Sequence, residues 1–156
     1  MLSMDTTIKT LVTFRSSVFN MSEPKEYFIN PCCFGDDVAR WLAGQLRGKG
    51  HQADEVPGQE DFGWYLRFSV FGIAHCFVIG YRPGDDNEEG AWIGFLERRR
   101  GMIAFLLGVH KRGIQPAAVR AIHEILTGSP QIWDVRWHFR HDFDRGYEEM
   151  GTPEPL

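Results

Sequence analysis

Hydrophobic and polar residues alternate most regularly over residues 63–70. Trp64, Leu66, Phe68 and Val70 fall on one side of an extended chain, with Tyr65, Arg67 and Ser69 on the other. A period of two predicts a strand with one buried face. Phe71-Gly72 follows as a tight connection, and residues 73–81 are nearly continuously apolar, as in a central strand covered on both faces. The two read as an antiparallel hairpin. Residues 82–90, "RPGDDNEEG", form an acidic loop, after which Ala91–Arg98, "AWIGFLER", return as a third strand.

A helical period appears twice. Val38, Trp41, Leu42 and Leu46 recur at i, i+3, i+4 and i+8, which predicts a helix opening at Asp36-Asp37 and closing at Gly48 or Gly50. The aspartate pair sits where carboxylates cap free N–H groups and meet the positive end of the helix dipole. Residues 116–127 open with Pro, turn Val119, Ile122, Ile125 and Leu126 inward, and meet Gly128. Residues 98–108, "RRRGMIAFLLG", read as a short helix.

Shorter strands are predicted over 27–30, ended by Pro31, and over 51–56, stopped by Pro57-Gly58. Residues 132–139 alternate again, with Trp133, Val135, Trp137 and Phe139 inward. Residues 1–25 are weakly patterned. Residues 11–14 are a candidate strand there, "SSVFNMSEP" reads as a linker, and Met21 offers a start that would make the preceding segment a dispensable extension. The polar, Pro-containing stretch 145–156 reads as a mobile tail. These elements predict one α+β domain over residues 26–144, a two-layer sandwich of a largely antiparallel sheet with helices on one face.

"FGDDVARWL", "EDFGWYL" and "WDVRWH" together resemble a family of small uncharacterised bacterial proteins. That family carries a Gly-Glu/Asp-Asp helix start, an acidic-Asp-Trp-Gly-Trp motif and a late Val-Arg-Trp. The resemblance spans about residues 27–139, with Phe62 standing where the family has Trp. It implies the fold and carries no assigned activity.

Composition narrows the function classes. With 156 residues the chain fits one domain, and 43% hydrophobic residues suffice for one core. The formal net charge of −4 argues against a nucleic-acid partner, which needs a concentrated basic surface. Three cysteines, Cys32, Cys33 and Cys76, make an odd and partly adjacent set, which is no disulfide framework and fits a reducing cytoplasm. No apolar h-region precedes residue 25, and the longest apolar run, residues 102–107, is too short to span a bilayer.

Several residue groups invite chemistry. His138, His141, Asp142 and Asp144 are metal-ligand types, but an odd spacing sends His138 and His141 to opposite faces of a continuing strand. They converge only if a turn follows Phe139. Asp85 to Gly90 mimic the start of a calcium loop, yet Leu96 stands where the bidentate Glu belongs. Cys32-Cys33 precede a helix, where a thiolate is favoured, but Asp36 and Asp37 oppose it. Arg98, Arg99 and Arg100, with Lys111-Arg112 and Trp92, outline a basic patch. His51, His75, His110 and His123 are scattered, and His75 in a central strand reads as a hydrogen-bonded core residue. Glu60 and Asp61 face opposite ways in an extended segment, so they make a poor acid–base pair. Asp61 and Gly63 read instead as turn punctuation before Trp64.

The expectation is a cytoplasmic, non-catalytic module that binds another protein, in the manner of an adaptor or immunity protein, with no cofactor. Its candidate contact residues are Glu60, Asp61, Trp64, Trp92, Arg98, Arg99 and Arg100, since aromatics and Arg dominate interface hot spots. Homo-oligomerisation is left open. The alternative is a small metal-dependent hydrolase using the His138–Asp144 cluster, and a nucleic-acid module built on Arg98, Arg99 and Arg100 comes third.

Overall fold

A computed structural model describes residues 8–61, 63–87, 89–98 and 113–156. Of the short helix expected over 98–108, Arg98 belongs to a strand instead, and the rest, with Arg99, Arg100, Lys111 and Arg112, lies outside the described residues. The elements in chain order are β1 (Leu11–Arg15), α1 (Asp36–Gly48), β2 (Gln52–Ala53), β3 (Gly58–Glu60), β4 (Gly63–Val70), β5 (Ile73–Arg82), β6 (Ala91–Arg98), α2 (Pro116–Gly128), β7 (Trp133–His138), α3 (Arg140–Asp144) and a 3-10 turn (Glu148–Met150). The fold is α+β. Its antiparallel sheet runs β2-β4-β5-β6-β1-β7, with β3 following β2 along the outer edge of β4.

The meander forms as its pattern predicts. β4 buries Trp64, Leu66, Phe68 and Val70, and pairs with β5 from Trp64↔Ile79 to Val70↔Ile73. Phe71 and Gly72 both have positive φ, 51° and 75°, which matches the two-residue hairpin turn that suits twisted strands. Residues 75–79 of β5 are buried on both faces. α1 and α2 cover one face, where Val38, Leu42 and Leu46 meet Val119, Ile122 and Leu126 over the rings of Phe14, Phe77, Trp92 and Trp137. The short α3 lies against the other face, where the Arg140 guanidinium sits 4.1 Å from the centre of the Phe95 ring.

The N-terminal segment is the largest correction. β1 is no extension: it is an interior strand that joins β6 to β7, with Val12 and Phe14 fully buried. Five residues suffice because both neighbours supply the ladder. Residues 27–30 form no strand. The Gln59 side chain takes up their backbone groups instead, accepting from Ile29 N–H at 2.7 Å and donating to the Tyr27 carbonyl at 2.8 Å. Only residues 52–53 of the expected 51–56 strand pair, and Gly58, read as a stop, begins β3.

Residues 145–156, read as a mobile tail, fold back on the sheet. Thr152 pairs with Trp137 through two backbone bonds of 2.6 and 2.9 Å, and Lys9 N–H donates to the Pro155 carbonyl at 2.9 Å. Trp133 is not inward-facing. A register shift between Thr13 and Arg15 inserts one extra residue into β7, and Trp133 is left 46% exposed.

Candidate functional site

The bulge in β7 shapes an open cleft of about 470 Å³ on the sheet face opposite the two long helices. Antiparallel register puts Thr13 and Arg15 of β1 beside Arg136 and His138 of β7 on that face. Arg82 enters from the end of β5, Glu89 from the β5–β6 loop, and Glu148 from the 3-10 turn.

Asp134 organises the cleft. Its Oδ2 accepts from Nε of Arg15 at 3.2 Å and its Oδ1 from Nε of Arg136 at 3.0 Å. Partial burial pushes the Asp134 carboxyl up, but the hydrogen bonds and charges of Arg136 and Arg15 outweigh it and hold the group below the usual carboxylate range. Nη1 of Arg15 reaches on to Glu89 at 3.3 Å. Arg82 grips Glu148 with both Nη groups, which holds that carboxyl low as well. His138 forms part of the cleft wall. Its Nε2 lies 3.0 Å from Thr13 Oγ1, and burial lowers its pKa with help from Lys9, Arg136 and Arg82. The buried Nδ1 of His138 has no hydrogen-bond partner among the described residues. The cleft thus offers fixed guanidinium donors in a nearly charge-balanced setting, which suits recognition of polar groups.

The residues singled out in the sequence fall elsewhere. Trp92 is only 1% exposed, packed between Phe19 and Tyr81, so it cannot reach a partner. Trp64 is buried too, and its indole N–H donates to the Cys33 carbonyl at 3.0 Å. Both rings belong to the core because they share the helix-covered face of their strands. Arg98 stands at the far end of β6, opposite His75, on that same face. Asp61 contributes its backbone carbonyl, which accepts from the Asn30 amide at 3.0 Å and the Cys33 thiol at 3.2 Å. Burial raises the Cys33 pKa, so the thiol donates and is no ready nucleophile. Glu60 ends β3 opposite Gly63.

The metal candidates separate. His138 is buried against Phe143, whereas His141 is exposed, stacked on Phe139 and 3.2 Å from Asp142. Among the described residues, no group of three or more His, Cys, Asp or Glu is placed to hold a metal ion. His75 is the hydrogen-bonded core residue expected: Nδ1 lies 3.2 Å from the Ile73 carbonyl, and Nε2 accepts from Gln115 N–H at 3.1 Å. Burial lowers its pKa to about 4.

Arg15, Arg82, Asp134 and Arg136 were not among the sequence candidates. The alternation of "WDVRWH" does place Arg136 opposite Trp137, away from the core. The pairing of β7 with β1, which brings Arg15 alongside, is nonlocal and leaves no mark in the chain. Among the described residues no helix is long and apolar enough to cross a membrane. Compared with known proteins, the chain matches no family model, no curated protein and no solved structure.

Proposed function

We propose that this chain is a non-catalytic protein-binding module and that the open sheet face around Arg15 and Arg136 is its recognition surface. The observation that carries the reading is a preformed array of paired arginines in an open cleft, with exposed Trp133 directly opposite Arg15 in register. Arg and Trp are the side chains that most often anchor protein interfaces. Tyr147 is exposed next to Glu148 and extends the aromatic rim.

The hydrolase alternative draws no support from the geometry, since His138 and His141 occupy different environments. Affinity capture from native cytosol, run in parallel with the wild-type chain and with Trp133→Ala and Arg136→Ala baits, tests the reading. A stoichiometric partner held by the wild type and lost by both variants is expected. Equal recovery on all three baits, or no partner and no self-association, contradicts it.

A further inference from the structure

Asp134 is one of two described non-glycine residues with positive φ, at 54°, and it sits at the β7 bulge. Bulges re-aim side chains beside functional sites, and residues in sparsely populated backbone regions persist where the surroundings fix them. Here the distortion turns one carboxylate onto two arginines. Both Nε groups are spent on Asp134, at 3.2 and 3.0 Å. The Nη groups of Arg136 have no protein partner among the described residues, and Nη1 of Arg15 meets Glu89.

Glu89 is the weak member. It is 77% exposed on the β5–β6 loop and joined to Arg15 by a single contact of 3.3 Å. An exposed ion pair of this kind is readily exchanged for another. Without Glu89, Arg15, Arg82 and Arg136 balance Asp134, Glu148 and Glu149, so a group that takes the place of Glu89 keeps the present charge of the cleft only if it carries one negative charge. A carboxylate supplies one and matches the planar guanidinium fork, whereas a phosphate dianion would leave an excess beside Glu148 and Glu149.

We infer that Arg15, Asp134 and Arg136 form a carboxylate seat that Glu89 fills in the isolated chain, and that an Asp or Glu side chain of a partner protein takes it over on binding. The inference rests on the open face being the recognition surface. Nitrogen–proton NMR correlations of the arginine Nε–H groups test it on the full chain, wild type and Glu89→Gln, titrated with a capped glutamate amide against chloride and inorganic phosphate at matched ionic strength. The Arg15 and Arg136 signals should move with the glutamate while those of Arg40 and Arg120 on the helices stay. Saturation should come at about two- to fivefold lower concentration in Glu89→Gln, the range set by an exposed ion pair. No response in either chain, a response equal to that of chloride, or tighter saturation by phosphate overturns the seat. A partner bound equally well by wild type and Arg136→Lys removes the seat but leaves the binding-module reading. A carboxylate response in a chain that captures no partner does the reverse.

Discussion

The indole N–H of Trp137 donates to Nδ1 of His123 across 3.0 Å, inside the interface between β7 and α2. Nε2 of the same ring lies 3.2 Å from Glu154 in the C-terminal segment. One imidazole therefore ties the last strand, the second long helix and the chain end together. Trp137→Phe keeps most of the apolar volume but orphans the buried Nδ1, and should cost about 1–3 kcal/mol in urea unfolding. Glu154→Gln should change stability by less than about 1 kcal/mol, because the carboxylate is mostly exposed.

A chain beginning at Met21 should not fold. It would lose β1, leaving β7 without its sheet neighbour and removing the buried Val12 and Phe14. Truncating one buried Phe alone costs about 3–5 kcal/mol, against a total stability of about 5–15 kcal/mol. Circular dichroism and proton NMR of residues 21–156 check this. Cooperative unfolding of that fragment would contradict an interior β1.

His75 makes stability depend on acid. Its folded pKa of about 4 lies below the ordinary 6.5, because burial disfavours the charged ring. Well above pH 6.5 the ring is neutral in both states and contributes no pH dependence. As pH falls toward 4, the unfolded chain takes up a proton that the folded chain refuses, so stability drops by about 3 kcal/mol. His75→Leu orphans Gln115 N–H and should lower stability at pH 7, yet flatten the slope between pH 6.5 and 4. Urea midpoints across that range for both chains give the comparison.

Gly63 and Asp61 should separate cleanly on mutation. A Cβ at Gly63 would meet the Ile79 carbonyl oxygen at 2.7 Å, a backbone contact that cannot yield. Gly63→Ala should therefore cost about 1–3 kcal/mol. Asp61→Ala should stay within about 0.5 kcal/mol, since the Asp61 backbone carbonyl makes the bonds to Asn30 and Cys33. Thermal melts of both variants decide it.

Local patterns carried the meander and both long helices, because each buries a regular face against its sequence neighbours. They marked residues 11–14 as a strand but left it in a dispensable extension, because its five residues hold position only through strands some 80 and 120 positions away. The same nonlocality hid the cleft: Arg15 and Arg136 become neighbours only once β1 and β7 pair. Aromatic content pointed to contact residues, but Trp64 and Trp92 went to the core while Trp133, counted as core, was turned out by one extra residue in β7. Gln59 and Trp64 act as a clasp that holds the loop from Tyr27 to Cys33 through its backbone, a role no local pattern announces.

Amide hydrogen exchange of the chain, free and with its captured partner, locates the recognition surface most directly. Protection is expected in Trp133–His138 and Glu148–Met150, with α1 and α2 unchanged. Protection confined to α1 and α2, with β7 exchanging as in the free chain, would contradict the open face as the binding site.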